Sequence, residues 1–94
     1  MLRSRKLNVA ARTGVGTVIA APGTGKQIVV VDILARAATT LKQTDGSGAI
    51  VAYIPAGSSN LSSGIPIGIN VALHSTAGDI TVTYYIEDQN AITP

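Results

Sequence analysis

The segment Ala21-Pro22-Gly23-Thr24-Gly25-Lys26-Gln27 is the stretch of this chain that most resembles a site for chemistry. A phosphate-binding loop needs a glycine six residues before its lysine, a Ser or Thr after that lysine for Mg²⁺, and a helix whose N-terminus faces the phosphates. Here Ala20 stands at the glycine position, Gln27 replaces the hydroxyl residue, and a Val-rich run follows where the helix should be. The segment reads as a Gly-rich turn into a strand, with Lys26 exposed. His74 is the single histidine and no cysteine is present, so metal-ligand spacing is absent from the sequence. With no nucleophile in a recognisable strained turn, His74 is expected on the surface or rim of a strand. Asp32 interrupts the apolar run Ile28–Leu34 and needs either an outward position or a partner, for which Arg36 and Lys42 are the candidates. Asp45 serves its turn, and Glu87-Asp88 ends a strand in solvent. No catalytic residue, cofactor site or metal site is assigned.

Residue types suited to recognition are more plentiful. Arg3, Arg5, Lys6 and Arg12 place four of the seven basic residues in the first twelve positions. The remaining three bases face five acids, a balance of −2 for the rest of the chain. The basic character therefore belongs to an N-terminal arm, residues 1–12, ahead of a domain at 13–94. Such an arm suits an acidic protein surface, the plain alternative being a solvated terminus. Nucleic acid is disfavoured because the arm holds no aromatic on which bases stack. Tyr84 and Tyr85 are adjacent, so on a strand they point to opposite faces; one enters the core and the other, Tyr85, lies outside with Tyr53 as an interface aromatic.

Those residues must be positioned by strands. Val, Ile and Thr supply 30 of 94 residues and Glu only one; β-branched side chains favour pleated, half-buried surfaces. Ile80, Val82, Tyr84 and Ile86 alternate with Thr81, Thr83, Tyr85 and Glu87, the period of a half-buried antiparallel strand. Residues 65–73 alternate in the same way, and Pro66 sets the expected start of order near Ile69. Ser75–Gly78 between the two runs reads as a hairpin turn. Gln27–Ala35, apolar on both faces, suits the middle of a sheet. Thr39–Gln43 and Ala49–Ile54 flank an Asp45-Gly46 step and make a second hairpin with positive φ at that step. Val15–Ala21 and, more weakly, Leu7–Ala11 complete the set, while residues 55–64 read as a polar loop crossing between sheets.

Turn signals every 8–12 residues or so indicate a sandwich or small barrel. The fold expected is a single-domain, all-β antiparallel β-sandwich, jelly-roll-like, of six to eight strands behind a basic arm. Its core is Ile, Val, Leu and Ala, since Trp, Phe and Cys are absent. Apolar residues make up 46% and charged residues 13%, a balance that excludes a disordered chain. No apolar run approaches the length of a spanning helix and no signal-peptide pattern opens the chain, so neither membrane nor secretion is expected.

The order Gly23-Thr24-Gly25-Lys26-Gln27-Ile28-Val29-Val30-Val31, a Thr-bearing strand, a Gly turn, a Gly/Ile/Pro-rich crossover, Asn70-Val71-Ala72-Leu73 and Gly78-Asp79-Ile80-Thr81-Val82-Thr83-Tyr84-Tyr85-Ile86-Glu87 resembles the small β-sandwich virion proteins of tailed bacteriophages. The likeness covers residues 20–88 and includes head decoration (cement) proteins and related accessory proteins. It implies a non-enzymatic structural protein without cofactor, made in the host cytoplasm and residing on the capsid surface. Its partners would be the major capsid protein and further copies of itself, a trimer being favoured. A neck, tail or fibre protein is the alternative within the virion; a carbohydrate-binding sandwich is the alternative outside it.

Overall fold

The computed structural model describes residues 6–88, apart from the side chains of Ser62 and Ser63. Eight strands follow in order: β1 (Asn8–Arg12), β2 (Gly16–Ile19), β3 (Lys26–Ala35), β4 (Thr39–Gln43), β5 (Ile50–Ile54), β6 (Gly57–Ile69), β7 (Leu73–Ser75) and β8 (Ile80–Asp88). They form two four-stranded sheets, the first ordered β1-β8-β3-β6 and the second β2-β7-β4-β5. Every pairing is antiparallel. The chain changes sheet at each connection except β4–β5. Two interleaved four-stranded sheets wound in this way are a jelly roll, the all-β sandwich expected.

The inward residues of both sheets meet in one core built from Ile19, Ile28, Val30, Ile33, Leu41, Ile67, Leu73, Ile80 and Val82 with their smaller neighbours. Branched aliphatics fill the space that aromatic residues occupy in many sandwiches, and Tyr84 packs at the margin of this cluster. Each fully buried Leu, Ile or Val contributes about 1.5–3 kcal/mol relative to exposure, the main favourable contribution to this fold in a chain without disulfides.

A one-residue irregularity in β3 sets its faces. The pairing with both β6 and β8 slips between Val30 and Asp32. Strict alternation from buried Ile28 and Val30 would have carried Asp32 into the core. The extra residue, Val31, turns Asp32 outward and brings Ile33 and Ala35 inward, where they are buried. The run that reads as apolar on both faces is therefore two half-strands of opposite parity.

Two expected connections differ. Ser75–Gly78 joins β7 in the second sheet to β8 in the first, so it is a crossover and not a hairpin. The close approach of Gly78 to Gly14 packs this turn on the β1–β2 turn; a Cβ on Gly78 would lie 2.5 Å from the Gly14 nitrogen. Of residues 55–64, expected as loop, Gly57 onward belongs to β6 and 57–60 pair with β3, and the alternating run 65–73 is split at Asn70 (φ 53°). Pro66 sits within β6, which is tolerated because β6 is an edge strand with one side unpaired. In the β4–β5 turn the positive φ falls on Thr44 (69°) and not on the Asp45-Gly46 step, where Asp45 instead accepts a hydrogen bond from the Ser47 amide at 2.8 Å.

Candidate interaction surfaces

The Gly-rich turn is occupied by its own fold. The Lys26 amide donates to the Gly23 carbonyl at 3.1 Å, and the Gly23 amide donates to Oδ1 of Asn70 at 3.0 Å. The Asn70 amide in turn donates to the Lys26 carbonyl at 2.6 Å. Two amides that an anion would need thus already have acceptors, and Lys26 enters β3 directly.

His74 lies on the outward face of the second sheet, between inward Leu73 and Ser75, with Thr17 and Lys42 beside it in register. It is 9% exposed, more covered than a rim histidine should be, because the β4–β5 turn folds over it. A Cβ on Gly46 would stand 3.6 Å from its Nε2. No cluster of three His, Cys, Asp or Glu side chains occurs among the described residues. Neither expected partner reaches Asp32: the Arg36 guanidinium stands 3.6 Å from Asp79, and Lys42 Nζ donates to the Gly46 carbonyl at 2.9 Å. The bulge answers the need for a partner by placing Asp32 outside.

The expected arm divides. Arg3 and Arg5 lie outside the described residues, and Lys6 is exposed. Residues 8–12 form β1, paired along its length with β8. Arg12 closes that strand: its Nη2 donates to the Val15 carbonyl at 3.1 Å and its Nη1 to the Thr17 carbonyl at 3.3 Å. Its guanidinium thus lies along the β1–β2 turn, and a Cβ on Gly16 would collide with it. Arg12 is a local brace, whereas Lys6 is free to reach a partner.

The tyrosines also divide. Tyr53 is 74% exposed on β5, as its interface reading requires. Tyr85 points away from the core, as alternation demands, yet is only 9% exposed. It stands opposite Val29, itself buried, and Gly64 of the irregular stretch of β6 packs on Val29. The outer side of the first sheet is therefore covered at this end by its own chain, and Tyr85 is not the exposed aromatic that alternation alone suggests.

What remains outside is poor in charge. Two cross-strand rows on the first sheet read Val9–Thr83–Asp32–Asn60 and Ala11–Thr81–Leu34–Ser58, with Asp32 the single ionisable group. Val9 is 67% and Leu34 58% exposed. On the second sheet Ile50 and Tyr53 project from β5, the strand whose far side no described strand pairs. Beside Tyr53 an open groove of about 410 Å³ is lined by Ala38, Thr40, Pro55 and Thr76. Val9, Leu34 and Ile50 escape a reading of the sequence, since each lies among consecutive apolar residues whose faces only register settles. Such surfaces lose little on desolvation, and depletion of charge is what marks the centre of protein interfaces.

No protein-family model matches the chain, and no curated protein or solved structure matches it significantly.

Proposed function

We propose that the chain is a non-enzymatic structural protein of a tailed-phage virion, a capsid decoration (cement) protein that binds and stabilises the major capsid protein lattice. The observation that carries this reading is the outer side of the first sheet, where Val9 and Leu34 stand exposed among Thr, Ser, Asn and Ala with one acid between them. An isolated sandwich normally keeps such a side polar. The jelly-roll winding is compatible with the reading but serves capsids, lectins and cupins alike, so it adds little by itself. Lys6, exposed just ahead of β1, supplies a positive charge at the edge of this sheet, which steers binding toward an acidic lattice.

The test is saturation binding of the purified chain to expanded capsids that lack it. The expected outcome is a plateau of regularly spaced copies and a capsid that disassembles at higher temperature. Absence of binding overturns the reading. A second reading, a carbohydrate-binding module, has one observation in its favour: the exposed Tyr53 flanks a groove lined by Thr40, Thr76 and Pro55. Specific signal on a glycan array that disappears in Tyr53→Ala selects it over the capsid.

A further inference from the structure

The four sheet edges of this sandwich are not alike. β6 carries Pro66 and the positive-φ glycines Gly64 and Gly68, and its pairing slips twice. β2 is four residues long and slips between Thr17 and Ile19. β1 ends in Arg12, braced across the next turn. Proline, bulges and shortness are the devices that keep an edge from pairing with another chain. β5, Ile50-Val51-Ala52-Tyr53-Ile54, is as short as β1 and carries one bulge, but it contains no proline, glycine or charge and leaves Ile50 (51%) and Tyr53 (74%) exposed beside the side that no described strand pairs.

The faces of β5 say what fits there. Its pairing with β4 slips between Ala52 and Ile50, so Val51 is a bulge residue. Ile54, Ala52 and Val51 face or pack on the core, while Ile50 and Tyr53 face out. Residues 50–53 therefore read out, in, in, out, a pattern identical in both directions along the strand. Opposite residues of an antiparallel pair lie on the same face of a sheet. A second β5 laid antiparallel, with Tyr53 of one copy opposite Ile50 of the other, then matches at each step: Ala52 meets Val51, Val51 meets Ala52, and Ile50 meets Tyr53. A shift that sets Ala52 against Ala52 would oppose outward Ile50 to inward Ile54. Without the bulge the pattern would alternate, and no register centred between residues 51 and 52 would match.

We infer that β5 is the self-association edge of this protein, pairing antiparallel with β5 of a second copy about a two-fold axis between Val51 and Ala52. The occupant is a second copy because the out-in-in-out pattern is complementary to itself and uncharged. The two second sheets become one eight-stranded sheet, with a Tyr53–Ile50 pair on each side of the axis. An aromatic set against a β-branched residue is among the favourable cross-strand pairs. The symmetric interface closes on itself, so association stops at two through this edge. The inference concerns how copies meet and stands apart from the capsid reading: a monomeric chain can still bind capsids, and a pair can form from a chain that does not.

Sedimentation equilibrium of the full chain is expected to give about 19 kDa, twice the 9.5 kDa of one chain. Ile50→Lys and Tyr53→Glu are each expected to raise the dissociation constant by about tenfold or more, with unchanged circular dichroism and melting of the monomer. Mixing the two variants restores a mixed pair, since one Tyr53–Ile50 contact and one opposite-charge contact then remain. The chain has no cysteine, so engineered thiols report register alone: an equimolar mixture of Ile50→Cys and Tyr53→Cys chains should oxidise mainly to the mixed disulfide. A monomeric or trimeric wild type overturns the inference. So does Tyr53→Cys linking mainly to itself, which would place the axis at residue 53.

Discussion

At the scale of single residues, the best-determined polar feature is a closed chain of hydrogen bonds between β4 and the β7–β8 turn. Ser75, wholly buried, donates its one hydroxyl proton to the Ala77 carbonyl at 2.7 Å, so Thr39 must donate to Ser75 Oγ, also at 2.7 Å, and its own oxygen accepts from the Ala77 amide at 3.1 Å. Each buried donor and acceptor is thereby answered, and removing one member leaves another stranded. Thr39→Val keeps the shape and is expected to lower stability by about 1–3 kcal/mol in urea unfolding; a change within error would show the chain of bonds to be dispensable. Gly64 carries φ 76° and would place a Cβ 2.7 Å from Val29 Cγ1. Gly64→Ala is therefore expected to cost about 1–2 kcal/mol by the same measurement. Some of this scale was legible in the sequence: the failure of the phosphate-loop motif and the turn role of Asp45 follow from residue type. The brace at Arg12 and the cover over Tyr85 were not, because both depend on where distant turns come to rest.

At the scale of elements, the bulge at Val31 decides which of Asp32 and Ile33 enters the core. The expected contrast is sharp. Asp32→Ser stays within about 0.5 kcal/mol of the wild type, while Ile33→Ala, one residue on and 1% exposed, costs about 2–5 kcal/mol. Reversed sensitivities would mean that β3 alternates without a bulge. Strand existence was readable from periodicity over β8, from the apolar run over β3 and from the turn-flanked segments of the β4–β5 hairpin. Pairing beyond that hairpin was not readable. Ser75–Gly78 looks like a hairpin because short turns usually join neighbours, yet β7 and β8 lie in different sheets. Residues 57–64 look like a loop because Gly, Ser and Asn dominate them, but they lie at the edge of the first sheet, where an outward face needs no apolar residue.

At the scale of the molecule, β1 lies beside β8, so the two ends of the described chain meet at one edge of the first sheet. A truncation meant to remove only the basic segment must therefore stop before Asn8. Deleting residues 1–6 is expected to leave the melting temperature unchanged and weaken capsid binding. Deleting 1–12 also strips β1 from β8 and lowers the melting temperature. Leu34→Asp, on the outer side of the first sheet, is expected to reduce capsid affinity by about tenfold or more while folding remains intact. The low charge of the sequence thus acquires a location: the uncharged residues are concentrated on the rows around Leu34 and on the β5 edge, the surfaces that the proposed assembly covers. The most direct measurement is the copy number of this chain in purified, DNA-filled virions, by quantitative mass spectrometry against the major capsid protein. A decoration protein is predicted at hundreds of copies per particle. A dozen or fewer, the count of a neck or tail component, or none at all, contradicts the account.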